Sequence, residues 1–377
     1  MITTSVLVDK LISDAGIEEF CGVSDSTLKY LINEVTNRGI YTPFTNEGDA
    51  VAYAAGRTVA GHPTAVLMQN SGLTNAASPI SSLTSLYDIP LLYIVGWRGY
   101  QENGHEFKDE PQHRIVGKNT FEIVSSISST WQFIDLPDWV DDDHLTITRP
   151  DCQSFLMIHP GQLSPVSLIS SRENGFTLPR LACISALLTN VKRDSKISIL
   201  STTGHTSREL MSFGEDNPQN FYMLGSMGCL VPFTYGIAKS QPDRKFIMLD
   251  GDGSYLMRPQ ASLVCNDMNV NNVMHIIFRN RTHLSTGNQY LPATKHMTDL
   301  VFATNHKGRV YHITDLLSFT QVLQEWLSDP RQERVTMLVD VSSEVVPDLP
   351  RPKKTPVHLL YTFQEGLGVI KNDSIIE

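Results

Sequence analysis

The sequence of 377 residues contains no CxxC pair and no run approaching the ~18 consecutive apolar residues of a membrane span. It also has no GxGxxG that follows a strand-like run with an acidic residue ~20 positions on. Each absence excludes a class. Cys21, Cys152, Cys183, Cys229 and Cys265 are odd in number and scattered, which argues against a disulfide framework or a zinc site and fits a reducing cytoplasm. The missing fingerprint argues against a dinucleotide oxidoreductase. The opening MITTSVLVDK lacks the basic head and apolar stretch of a signal peptide. An excess of positive charge is lacking too. With 30 Lys+Arg against 40 Asp+Glu and a net charge of −10, the chain suits neither nucleic acid nor an anionic membrane surface. An anionic substrate would need a local basic cluster.

What is present is a core-forming composition, 41% apolar and 19% charged, long enough for two domains. In the first half, Val6–Ala15 reads as a helix, Thr64–Met68 and Pro90–Val95 read as buried strands, and Gly72–Leu86 between them has helical length. Asn46 before an alanine-rich run to Ala60 reads as a capped helix start. The second half repeats this grammar, with strands at Lys196–Leu200, Phe246–Leu249 and Val273–Phe278 and helices at Ser207–Met211 and Leu256–Asp267. Such alternation predicts an α/β fold of two open, mostly parallel sheets with helices on both faces. The polar stretch Ser164–Pro179 marks the linker, giving domains 1–165 and 181–377 joined by 166–180.

The sharpest local signal is LDGDGSYLM at Leu249–Met257, an apolar strand running straight into Gly251-Asp252-Gly253-Ser254. Ligands of open α/β sheets sit at the carboxyl ends of strands, and glycines let a phosphate approach the backbone. A carboxylate beside a diphosphate requires a cation between them, and magnesium with oxygen ligands is the usual one. Asn280, 28 positions after Asp252 and directly after VMHIIFR, is the candidate second ligand, and the Thr282 carbonyl is a third. Taken alone, the Asp-Gly pair also fits a plain hairpin turn. A second signal is Asn46-Glu47-Gly48. It reads either as a helix cap with an acidic first turn or as a carboxylate held in an apolar site with a raised pKa, sharing a proton with a ring nitrogen.

The ordered pattern NEG…QNSG…GSMG…LDGDG…N resembles the thiamine-diphosphate-dependent decarboxylases. GVSDSTLK, IPLLYIVGWRG, DEPQH, STTGHTSREL and HLSTGNQ are further matching stretches, and GWRG, DEPQH and STGxQ among them narrow the resemblance to the phosphonopyruvate branch, with the sulfopyruvate decarboxylases close relatives. The resemblance implies two thiamine-diphosphate-binding folds, the first for the pyrimidine and the second for the diphosphate. It implies thiamine diphosphate and Mg2+ as cofactors, and at least a homodimer with the cofactor at the subunit interface. It also implies that Glu47 activates the aminopyrimidine and that Asp252, Asn280 and the Thr282 carbonyl bind magnesium. Thr203, Gly204, Gly251, Gly253 and Ser254 would contact the diphosphate, and Ser226, Met227 and Gly228 the pyrimidine, with Met227 enforcing the bent cofactor.

Ser26, Asn70, Ser71, Arg98 and His113 would surround a small 2-oxo acid, with Asp25 and His113 handling protons. By themselves Asp25 fits a turn or cap and His113 a loop histidine with an ordinary pKa near 6.5. Arg98 fits either an anion clamp or an ion pair. The implied reaction is decarboxylation of 3-phosphonopyruvate to phosphonoacetaldehyde in phosphonate biosynthesis. The alternatives are another 2-oxo acid such as sulfopyruvate, with or without carboligation, and a non-catalytic cofactor-binding subunit. Three features depart from the branch: a longer 99–108 loop, His205 in place of a lysine, and Leu284 in place of an acid.

Overall fold

Short aliphatic runs separated by helical lengths dictate parallel strands joined by crossover helices, and each half of the chain builds one such sheet. The computed structural model describes residues 1–99, 109–141, 146–149, 152–169, 174–191, 194, 196–330 and 333–370. The chain divides into two units, Met1–Arg172 with Ser285–Pro292, and Glu173–Leu284 with Ala293–Glu377.

The first unit holds β1 (Glu19–Gly22), β2 (Tyr41–Pro43), β3 (Thr64–Gln69), β4 (Leu92–Gly96), β5 (Trp131–Asp135) and β6 (Gln153–Ile158). They lie in the order β2-β1-β3-β4-β6-β5 with every pairing parallel. Its helices are α1 (Thr4–Ser13), α2 (Lys29–Asn37), α3 (Glu47–Val59), α4 (Gly72–Pro79), α5 (Pro111–Lys118), α6 (Thr120–Ile127) and α7 (Leu136–Asp141). Both sheet faces are covered, so alternate strand residues enter different cores. Ala65 and Leu67 join one core with Ile94, while Val66 and Met68 join the other with Tyr93.

The second unit holds β7 (Ile197–Ser201), β8 (Asn220–Tyr222), β9 (Lys245–Gly251), β10 (Val273–Arg279), β11 (Arg309–Ile313) and β12 (Val335–Asp340), again all parallel, in the order β11-β12-β10-β9-β7-β8. Its helices are α8 (Arg180–Val191), α9 (His205–Met211), α10 (Leu230–Ser240), α11 (Asp252–Met257), α12 (Pro259–Asn266), α13 (Met297–Thr304), α14 (Leu316–Ser328) and α15 (Pro356–Gly366). The α/β class and the parallel sheets are as the sequence predicts. Among the described residues no helix is long and apolar enough to cross a membrane.

Several boundaries differ from expectation. The helix predicted at Leu256–Asp267 begins earlier and is two helices. Proline disfavours a helical residue before it, and Arg258 takes φ −147°, ψ 55° between α11 and α12. The length predicted as one helix over Gly72–Leu86 is α4 followed by a wider π turn at Ile80–Thr84, directly after Pro79. Residues 100–108 of the longer loop lie outside the described residues.

Candidate active site

In each sheet the chain leaves its first strand for one neighbour and then crosses to the other side. This creates a switch point at the carboxyl ends of β1 and β3, and another at those of β7 and β9. Such crevices bind ligands in open α/β sheets. In the first unit, Asp25 follows β1, Glu47 opens α3 after β2, Asn70 and Ser71 follow β3, and Arg98 follows β4. In the second, Thr203 and Gly204 follow β7, Ser226–Gly228 follow β8, Asp252 follows β9 and Asn280 follows β10. The sequence candidates thus gather at strand ends within each sheet.

Asp25 is 1% exposed. Its Oδ2 accepts hydrogen bonds from the Thr27 and Leu28 amides at 3.2 and 3.1 Å, and its Oδ1 is buried without a partner. Burial raises its carboxyl to about 6, against the turn amides and Arg98, which pull it down. Its place depends on a bare backbone at Gly96, where a Cβ would stand 2.1 Å from Asp25 Oδ2.

Arg98 is ion-paired: Nε and Nη2 donate to both oxygens of Asp109 at 3.1 and 2.5 Å, and Nη1 donates to Ser26 Oγ at 3.3 Å. Burial raises the Asp109 carboxyl, but the Arg98 hydrogen bonds and charge outweigh it and hold the group below its ordinary value. The Asn70 side chain braces the Arg98 backbone, donating to its carbonyl at 2.9 Å and accepting from its amide at 3.2 Å. It also donates to Thr120. Ser71 Oγ accepts from Gln69 Nε2 at 2.6 Å. His113 is buried beside Gln69, and burial, reinforced by Arg98, lowers its pKa to about 4. The expectation of an imidazole titrating near neutrality is not met, because Asp109 and Glu110, which pull the value up, do not outweigh burial and Arg98. Asp25 is the group in this cluster that titrates nearer to neutral pH.

Glu47 is 7% exposed at the first position of α3, whose cap Asn46 accepts from the Gly48 amide at 2.9 Å. Asn75 Nδ2 donates to Glu47 Oε2 at 3.0 Å. The sequence reading did not single out Asn75, which lies one turn into α4, just past the QNSG motif.

In the second unit Asp252 is 4% exposed. Its Oδ1 accepts from the Gly253 amide at 2.9 Å, and its Oδ2 from the Asn280 and Arg281 amides at 3.0 and 2.7 Å. Burial raises its carboxyl to about 6 despite those amides. Asn280 Oδ1 accepts from the Thr282 amide at 3.2 Å, and the Asn280 carbonyl accepts from Asn174 Nδ2 at 2.9 Å. Ser254 Oγ accepts from Thr202 Oγ1 and from the Gly228 amide at 2.8 and 3.1 Å, tying the β7, β8 and β9 ends together. Thr203 Oγ1 donates to the Leu224 carbonyl at 2.9 Å, and Gly204 turns the chain with φ +81°. Ser226 takes φ +53° and its carbonyl accepts from the Cys229 amide at 3.0 Å, so Met227 and Gly228 sit inside a closed turn. A buried carboxylate with no ion-pair partner among the described residues, beside a carboxamide oxygen, is a donor set suited to a hard divalent cation. Asn174 and Thr202 are further residues the sequence reading missed.

The family model for the N-terminal TPP-binding domain of thiamine pyrophosphate enzymes matches residues 2–118, and that for the C-terminal TPP-binding domain matches residues 202–324. The chain is 30% identical to the phosphonopyruvate decarboxylase of Streptomyces viridochromogenes, over 93% of this chain and 91% of that one. It is 32% identical to the phosphonopyruvate decarboxylase of Streptomyces hygroscopicus, over 77% and 75%. It is 26% identical to the sulfopyruvate decarboxylase of Methanosarcina acetivorans, over 78% and 80%. The chain belongs to the thiamine pyrophosphate-dependent decarboxylases. As a member of these carboxy-lyases it uses thiamine pyrophosphate, which is thiamine diphosphate.

Proposed function

We propose that this decarboxylase converts 3-phosphonopyruvate to phosphonoacetaldehyde and CO2 with thiamine diphosphate and Mg2+, as a step of phosphonate biosynthesis in the cytoplasm. The observation that carries the substrate reading is the similarity to two phosphonopyruvate decarboxylases over most of their lengths. The Mg2+ reading is supported by the buried oxygen set of Asp252 and Asn280, completed by the Thr282 carbonyl. The cofactor, when bound, supplies the electron sink that lets CO2 leave.

The protein's own residues orient and handle protons. Thr203, Gly204, Gly251, Gly253 and Ser254 hold the diphosphate end, and Ser226, Met227 and Gly228 hold the pyrimidine. Glu47, oriented by Asn75, carries the proton exchanged with the pyrimidine ring nitrogen. Decarboxylation replaces a carbon–carbon bond with a carbon–hydrogen bond, so a proton must be delivered. Asp25, with its carboxyl near 6, is the donor. His113, neutral at working pH, serves as a hydrogen-bonding partner of substrate beside Ser26, Ser71 and Arg98. Asn70 acts by holding the Arg98 backbone. Residues 1–165 form the pyrimidine-binding domain and residues 181–377 the diphosphate-binding domain, in a homodimer or larger homo-oligomer.

The test is CO2 release from phosphonopyruvate by the purified protein, with and without Mg2+, beside sulfopyruvate and unsubstituted pyruvate. Preferential turnover of phosphonopyruvate is expected, with activity lost on chelation. Turnover of sulfopyruvate in its place would overturn the substrate and leave the class standing. That second reading is favoured by the methanogen relative.

A further inference from the structure

The turn that carries Asp25 is held on both flanks. On one side Ser26 Oγ meets Arg98. On the other, Ser24 Oγ and Thr286 Oγ1 both donate to Gln289 Oε1, at 2.9 and 3.2 Å, and the two hydroxyls lie in contact with each other. Gln289 Nε2 donates to Asn33 Oδ1 on α2 at 3.0 Å, and Asn33 Nδ2 donates to the Val166 carbonyl at 2.8 Å. Gln289 is 4% exposed and Asn33 6%. A buried amide spent on side chains from two other segments specifies a position, because each bond left unmade would be costly.

The loop is shaped around that amide. Gly287 and Asn288 take φ of +126° and +63° in succession. A side chain at Gly287 would be strained at that φ, and its Cβ would stand 2.6 Å from Gln289 Nε2 and displace the amide. Residues 285–292 carry no carboxylate, lysine, arginine or histidine. They therefore act on Asp25 by placement, not by charge. The charge acting on Asp25 is Arg98, which also acts on Asp109 and His113, and Asp109 and Glu110 act on His113.

We propose that Gln289 is a positioning residue for Asp25: its amide pins Ser24 and so keeps the adjoining carboxyl in its dry, unpartnered setting. The inference rests on the reading of Asp25 as proton donor. Without the pin the turn loosens, water reaches Oδ1, and the carboxyl relaxes toward an ordinary carboxylate with a smaller protonated fraction at working pH.

Gln289→Met keeps the length and removes the bonds, and Gly287→Ala displaces the amide. The direct readout is the Asp25 carboxyl titration in the cofactor-free protein, by infrared difference against Asp25→Asn. Its midpoint is expected to fall by about one unit in both variants, which lowers the protonated fraction and kcat at pH 7 about tenfold. KM and cofactor affinity should stay at wild-type values. An unmoved midpoint in a folded Gln289→Met protein overturns the proposal. So does a rate loss matched by an equal loss of cofactor affinity, which marks a merely structural role. If Gly287→Ala fails to fold, Ser24→Ala removes the same bond from its other end. If Asp25→Asn keeps wild-type turnover, the donor role fails, and the infrared midpoint still decides whether Gln289 sets the carboxyl.

Discussion

Asp25 and Asp252 make a natural comparison. Both follow a strand at a switch point, both are almost wholly buried, and burial raises both carboxyls to about 6. They differ in how their oxygens are used. Both oxygens of Asp252 face backbone amides drawn from two strand ends. Asp25 has one oxygen on its own turn and one on nothing. A carboxylate fixed by peptide amides from two strand ends is held rigid, which suits a cation. A carboxyl with a bare oxygen in a dry setting is best relieved by a proton. Similar pKa values therefore prepare different chemistry, and the hydrogen-bond partners, not the shift, tell the two apart.

Three substitutions would break or sharpen that contrast. The largest effect is expected at a third carboxylate. Glu47→Gln should lower turnover by about 10²–10⁴ while the protein still binds cofactor. Single-turnover CO2 release beside a cofactor fluorescence titration checks this, and loss of binding instead would make Glu47 an anchor like Asp252. Next, Asp252→Ala should weaken thiamine diphosphate binding in the presence of Mg2+ by about 3 kcal/mol, roughly a hundredfold, with the fold intact. Calorimetric titration measures it. An equal loss in Asp25→Asn would erase the distinction.

The smallest effect concerns stability. The folded Asp25 carboxyl lies above its ordinary value of 3.8. Below pH ~4 both folded and unfolded chains hold the proton and there is no penalty. As pH rises through 4 to 6 the unfolded chain ionises first, and the folded state loses stability by roughly 1–3 kcal/mol. Asp25→Asn should remove that loss, so its urea midpoint should gain on the wild type over this window and stay ahead above it. Parallel curves at all pH values would show that Asp25 has no raised carboxyl.

Local pattern made much of this legible. The strands at Thr64–Gln69 and Val273–Arg279 are mostly apolar and buried along almost their whole length, as strands covered on both faces must be. The cap at Asn46 and the glycines around Asp252 announce themselves within a few residues. The helix breaks at Pro79 and Pro259 carry a sequence signal too, but apolar spacing alone runs the helices through them. What the sequence hides is pairing at long range. Asn70 bracing Arg98 spans 28 positions, and Gln289 reaching Asn33 spans 256. No local propensity encodes either. The depressed His113 pKa is equally hidden, since it depends on burial and on a guanidinium from another segment.

The Arg98–Asp109 pair has one further consequence. It joins the two ends of the segment between those residues, and Asn70 holds the near end by its backbone. With both ends clamped, extra residues between them cost only a slowly growing closure entropy, about 0.6 kcal/mol per doubling of length. The clamp therefore separates evolution of the segment from evolution of the residues that hold its two ends. Length and composition can drift there without moving Arg98, Asp109 or Asn70.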